Sequence, residues 1–135
     1  MATYTKFLSF TEAVAEKVHN LGSDQLRVAL TNTLPVNTNT VLANITEISY
    51  TNCSSRAITT TSSTQTAGTY KLTLTDLVLS ATGAVGPFRY VVIYNDTATN
   101  DELISFFENG SSLTLASGDT FTLDFDAGNG FLTIA

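Results

Sequence analysis

The stretch that decides the fold is Gly86-Pro87-Phe88-Arg89-Tyr90-Val91-Val92-Ile93-Tyr94. Its second half is an unbroken run of β-branched and aromatic residues, and it follows a turn sequence that begins at Gly83. A short continuous apolar run with such a boundary predicts a strand that is covered on both faces. We therefore expect residues 88–94 to form a central strand of a β-sheet.

Other segments alternate apolar and polar residues, as expected for half-buried strands. They are residues 24–31, 70–75, 103–107, 113–115, 121–125 and 131–134, with Leu77 and Leu79 continuing beyond a bend at Asp76. Turns rich in Gly, Asn and Asp separate them, and Asn109-Gly110 predicts a tight hairpin turn. This pattern predicts an all-β protein, an antiparallel β-sandwich or barrel-like domain with one short N-terminal helix.

Three segments have weaker patterns. The pattern of residues 57–61 predicts a polar strand, and the low apolar content of residues 62–68 predicts a loop or an exposed edge. Residues 41–48 fit either a helical turn or a short irregular segment.

The N-terminal helix is predicted from apolar residues that recur at spacings of three and four between Phe7 and Leu21. Ser9 and Glu12 fit a capping box, and Gly22 fits a left-handed helix end. A helix of this length is marginal alone. Its apolar side is therefore expected to dock on the sheet or on a neighbouring subunit.

Composition predicts one domain over residues 1–135, with an arm and helix in 1–22 and a β-sandwich in 23–135. The chain of 135 residues is 43% hydrophobic, enough for a core without disulfides or metals. Only 13% of its residues are charged. Their place is taken by Thr, Ser and Asn, of which Thr suits a pleated surface.

The charge distribution argues against nucleic acid as a partner. The net charge is -6, and the 6 basic residues are scattered along the chain. We expect no membrane association, because no apolar run approaches spanning length. The N-terminus lacks the apolar core of a signal peptide, so we expect synthesis in a cytoplasm and, if the protein leaves, a signal-independent route such as cell lysis.

Residues with catalytic potential are few, and we expect no enzyme activity. His19 is the only histidine, and we interpret it as a capping or hydrogen-bonding residue at the end of the predicted helix. Cys53, the only cysteine, is interpreted as a structural or incidental thiol, because no activating base lies near it in the sequence. Composition leaves a Ser-His-Asp arrangement open, but no nucleophile-elbow motif supports one.

No cofactor or metal is expected. Residues 124–130 place Asp124 and Asp126 before a Gly-rich turn, which has some likeness to a calcium loop, but the remaining ligands of an EF-hand are missing. A solvated strand face followed by a turn is the simpler interpretation. Phe106-Phe107 and the aromatic residues of 90–94 fit either a sugar-binding platform or core packing and a subunit interface. The chain has no tryptophan, the usual stacking residue of sugar sites.

Several segments together resemble a family of small structural proteins of tailed bacteriophages. The resemblance spans nearly the whole chain. It is carried by Gly86-Pro87-Phe88-Arg89-Tyr90-Val91-Val92-Ile93-Tyr94-Asn95-Asp96-Thr97, His19-Asn20-Leu21, Ala29-Leu30-Thr31-Asn32-Thr33, Ile45-Thr46-Glu47-Ile48 and Gly110-Ser111-Ser112-Leu113-Thr114-Leu115-Ala116-Ser117-Gly118-Asp119.

The resemblance implies a decoration or cement protein on the outside of the phage head, and hence a virion location after synthesis in the host cytoplasm. Such proteins commonly form trimers that bridge capsomers, so the implied partners are the major capsid protein and other copies of the chain. A tail or head-fibre component, or a carbohydrate-binding adhesin, is the alternative. For docking, we expect the chain to use residues 1–10 and an exposed strand edge.

Overall fold

The computed structural model describes residues 3–135, in which nine strands pair in an antiparallel manner. The strands are β1 (Thr3–Lys6), β2 (Leu26–Thr31), β3 (Thr60–Thr66), β4 (Thr69–Leu74), β5 (Leu77–Ser80), β6 (Val85–Asn95), β7 (Leu103–Leu115), β8 (Thr120–Leu123) and β9 (Leu132–Ile134). One α-helix, α1 (Ser9–Ala15), and one 3-10 turn (Leu42–Asn44) complete the described elements. With 47% strand and 8% helix, the all-β class with a short helix is confirmed.

Strand β6 lies inside a four-stranded sheet of order β1-β7-β6-β2. Its side chains alternate between two hydrophobic clusters. Val91 and Ile93 belong to the main core, whereas Tyr90, Val92 and Tyr94 belong to a second cluster on the opposite face. All five are at most 7% exposed. The prediction of a central strand covered on both faces is therefore confirmed.

The main core lies between the four-stranded sheet and two smaller sheets, β3-β4-β9 and β5-β8. Leu72 and Leu74 of β4 meet Leu79 of β5 and Leu123 of β8 in this core. The bend predicted at Asp76 separates β4 from β5, which lie in different sheets.

On the other face of the four-stranded sheet, Phe7 together with Leu42 and Ile45 packs over the second cluster.

The predicted helix over residues 7–21 is wrong in length. Helix α1 ends at Ala15, and Lys17 adopts a left-handed φ of 67°. The predicted capping box is wrong too, since the N-cap is Leu8, which makes no side-chain capping bond. Phe7 and Leu21 are buried all the same, because loops on either side of the helix carry them into the core.

The tight turn predicted at Asn109-Gly110 is also wrong. Strand β7 runs through this dipeptide without reversing and pairs with β6 on both sides of it. Phe88 lies opposite Leu113 and Tyr90 lies opposite Glu108, so residues 109–112 form a bulge opposite Arg89. The predicted short strand 113–115 is the end of β7.

The segments with weak patterns now have definite structures. The exposed-edge alternative for residues 62–68 is correct, because β3 is an edge strand that turns into β4 at Ala67-Gly68. The strand predicted at 57–61 begins only at Thr60, and Ala57 makes an isolated bridge to Arg27. Residues 41–48 contain the 3-10 turn within irregular chain.

Candidate interaction surfaces

His19 lies beyond the end of α1, in a buried polar cluster with Asn95 and Asp24. Asn95 Oδ1 accepts hydrogen bonds from the backbone N–H groups of Thr97 and Ala98, at 3.0 and 3.1 Å. This fixes the orientation of the Asn95 amide. Its Nδ2 then donates to His19 Nδ1 at 3.0 Å and to Asp24 Oδ2 at 2.7 Å.

These contacts determine the protonation state of the imidazole. Because Asn95 Nδ2 is a donor, His19 Nδ1 accepts, and the ring proton of neutral His19 is on Nε2. Burial lowers the pKa of His19, while the charges of Glu102 and Asp24 act in the opposite direction. Nε2 is buried without a partner among the described residues. The hydrogen-bonding interpretation of His19 is correct, and its ring accepts this bond from Asn95 through Nδ1.

Cys53 lies in an irregular segment next to β5, where its backbone makes an isolated antiparallel β-bridge with Ala81. Burial raises the pKa of its thiol, against a smaller opposite effect of Arg56. The thiol therefore stays protonated at neutral pH, which is the less reactive form.

The Asp124 and Asp126 side chains stabilise their own turn. Asp124 Oδ1 accepts the Asp126 N–H at 2.8 Å. The Asp126 carboxylate accepts hydrogen bonds from the backbone and side-chain N–H groups of Asn129, at 3.1 and 2.8 Å. These hydrogen bonds lower the pKa of Asp126. Among residues 3–135, no three His, Cys, Asp or Glu side chains are grouped in a way that suits a metal ion.

The aromatic residues considered for a sugar platform lie on opposite faces of the sheet. Phe106 is 6% exposed and packs against Phe7 and Tyr90 in the second cluster. Phe107 faces the other way and packs against Tyr4 and Phe131. Core packing thus accounts for the pair.

The two edges of the four-stranded sheet differ. The outer edge of β2 is covered by hydrogen bonds to the chain between residues 50 and 58. The Ile58 N–H donates to the Leu26 carbonyl, and the Arg56 carbonyl accepts a hydrogen bond from the Val28 N–H. The Tyr50 hydroxyl accepts a hydrogen bond from the Leu30 N–H. Strand β1, in contrast, hydrogen-bonds only to β7 within residues 3–135. Its other side is a free edge, which is a template for pairing with another chain. Of the predicted docking segment 1–10, Met1 and Ala2 lie outside the described residues.

Three exposed apolar side chains lie near the end of β1, and we call them the apolar patch: Leu8, Leu34 and Val36 are 54, 59 and 56% exposed. The Leu8 N–H donates to Asn37 O at 2.9 Å and so joins the end of β1 to the 34–37 loop. Sequence reasoning missed the patch. Its signal was present, since Leu34 and Val36 are apolar residues within a predicted loop.

Comparisons with known proteins give no family, because no protein-family model, curated protein or solved structure matches this chain. Within residues 3–135, the one α-helix is much too short to span a bilayer.

Proposed function

We propose that this chain is a non-enzymatic structural protein of a tailed-bacteriophage particle, which binds the outside of the capsid as a decoration or cement protein. Its partners are the major capsid protein and other copies of itself, assembled as trimers. The observation that carries the proposal is the free edge of β1 next to the apolar patch of Leu8, Leu34 and Val36.

The physical basis is the adjacency of two complementary features. A free edge offers backbone hydrogen bonds to a partner strand, and apolar side chains beside it add buried area on contact. One such contact is small, but many copies on one shell act together. The sequence resemblance to small phage structural proteins supports the same role.

The test is add-back to particles. Capsids are prepared from a phage in which the gene for this chain is deleted, purified protein is added, and bound protein is measured by co-sedimentation. We expect saturable binding. Replacing Leu8, Leu34 and Val36 together by Ser should weaken binding about tenfold or more, because three apolar side chains lose their burial.

The matched control is Val78→Ser, which removes an equally apolar side chain that is 49% exposed on β5. It should bind capsids like the natural protein. Protein that fails to bind the capsids, but does bind purified tails or fibres, would replace this proposal with the tail or fibre role.

A further inference from the structure

Besides the edges of β1 and β3, the outer side of β8 is also a free strand edge. Strand β8 pairs with β5 alone in the part of the chain that the structure describes. Beside it is a cavity of about 530 Å³. Val91, Phe107 and Asn109 of the four-stranded sheet line one wall, and the six consecutive residues from Phe121 to Asp126 line the other.

Consecutive residues along one wall show which side of β8 meets the cavity. Successive side chains of a strand point to opposite faces of its sheet, so a cavity under one face touches every second residue. Strand β8 ends at Leu123, and the cavity touches its three consecutive residues 121–123 before it reaches the irregular residues 124–126. Contact with the outward-facing Thr122 as well as with its two inward-facing neighbours places the cavity at the strand edge. The unpaired backbone groups of β8 therefore border the cavity.

The cavity has an apolar floor and an acidic rim. Val91, Leu123 and Phe125 are at most 7% exposed and form the floor, while Phe107 is half-buried. Two carboxylates, Asp124 and Asp126, form this rim, and no basic side chain lines the cavity. The hydrogen bonds from Asn129 and, to a smaller extent, the charge of Lys71 lower the pKa of Asp126, so Lys71 offsets part of the rim's charge. Lys71 Nζ also donates a hydrogen bond to Gly128 O at 3.1 Å.

We propose that the edge of β8 and this cavity bind an extended, basic peptide segment of a partner chain. The segment adds as a strand beside β8, places one apolar side chain in the cavity, and sets basic side chains against the acidic rim. Main-chain bonds supply affinity in this mode and the pocket supplies specificity. The inference goes beyond the proposed capsid role and does not depend on it.

The probe is the acetylated and amidated pentapeptide Lys-Thr-Phe-Thr-Lys, titrated into the full-length protein labelled with ¹⁵N. We expect saturable shifts of the amide signals of residues 121–126. The same peptide with Glu at both ends should bind about tenfold more weakly, because its charges repel the rim. Ala in place of Phe should also cost about tenfold, because the cavity is then left unfilled.

A peptide with N-methylated Thr residues tests the edge itself, since N-methylation removes backbone donors but keeps every side chain. We expect the N-methylated peptide to lose nearly all of its binding to the protein. On the protein, the double change Asp124→Asn and Asp126→Asn should weaken binding roughly three- to tenfold. Both substitutions keep one side-chain oxygen that can accept a backbone N–H of the turn, and Asp126→Asn gives up only the hydrogen bond from the Asn129 side chain. Glu16→Gln, at the far end of α1, is the control and should leave binding unchanged.

Three outcomes would overturn the proposal. They are the absence of shifts at residues 121–126 at millimolar peptide, equal binding of the N-methylated peptide, and stronger shifts of the same amides by methyl glycosides. The last would make the cavity a sugar site.

Discussion

Asn95 donates its side-chain N–H to His19 Nδ1 across 3.0 Å, in the interior of the protein. The bond joins the end of β6 to the chain after α1. The Asn95 amide is held by two backbone donors, so it cannot rotate to suit a protonated ring without breaking them. The neutral imidazole is therefore part of the fold.

Acid should weaken the protein at this point. Burial lowers the pKa of His19 below that of the unfolded chain, near 6.5, so the unfolded state takes up a proton first as the pH falls. The stabilising contribution is complete above about pH 6.5 and is lost below it, by up to about 1.4 kcal/mol per pH unit. Urea unfolding at pH 7.5 and 5.0 should show this loss. His19→Gln should show a smaller loss, and equal losses would contradict the account.

Tyr50 should stabilise the covered edge of β2. Its hydroxyl accepts from Leu30 N at 2.9 Å and donates to Glu47 Oε1 at 2.7 Å, and its ring lies 3.6 Å from the Arg56 guanidinium carbon. Tyr50→Phe leaves the Leu30 N–H without a partner, which should cost about 1–2 kcal/mol of unfolding free energy.

Urea unfolding measures that cost. The control is Tyr90→Phe, because the Tyr90 hydroxyl makes no hydrogen bond to a described residue; it should change stability by less than about 0.5 kcal/mol. Equal effects of the two substitutions would show that the Tyr50 hydroxyl does not hold the edge.

Gly86 and Gly110 are a matched pair that tests the approach of β6 to β7. Both have positive φ, 131° and 86°. A Cβ on Gly86 would lie 2.6 Å from Leu113 O, whereas a Cβ on Gly110 would meet nothing within 4 Å. Gly86→Ala should cost about 3 kcal/mol or more, and Gly110→Ala about 1 kcal/mol from backbone strain alone. Thermal unfolding should rank them in that order; the reverse order would contradict the register.

The Cys53 thiol should react slowly in the folded protein. Because burial raises its pKa, little thiolate is present at pH 8, and reaction with a disulfide reagent should be about tenfold slower than in urea-unfolded protein. Equal rates in the two states would mean that the thiol is freely exposed.

The sequence predicts the centre of β6 well, because a continuous apolar run has few alternatives. The predicted turn that begins at Gly83 is wrong in length, because β6 already starts at Val85. The helix was overestimated because spacing alone does not distinguish residues on one helix from residues that loops bring to the same core. Phe7 and Leu21 are buried by the latter route. At Asn109-Gly110, the long pairing of β7 with β6 overrides the local turn preference, and the dipeptide becomes a bulge.

The candidate surfaces were harder to predict than the strands. Asn95 is 76 residues from His19 in sequence, so no local pattern joins them. The cavity beside β8 likewise combines Val91 with residues 121–126 across two sheets. An exposed strand edge was expected in general, but which edges are free depends on long-range pairing, such as the cover that residues 48–58 give to β2.

The most direct test of the capsid role is a cryo-EM map of the intact particle whose genome encodes this chain. We expect density for this fold on the outer surface of the head, at threefold or quasi-threefold positions, with β1 and the Leu8–Leu34–Val36 patch against the capsid protein. Density for this fold in the tail or in fibres, or none in the particle, would contradict it.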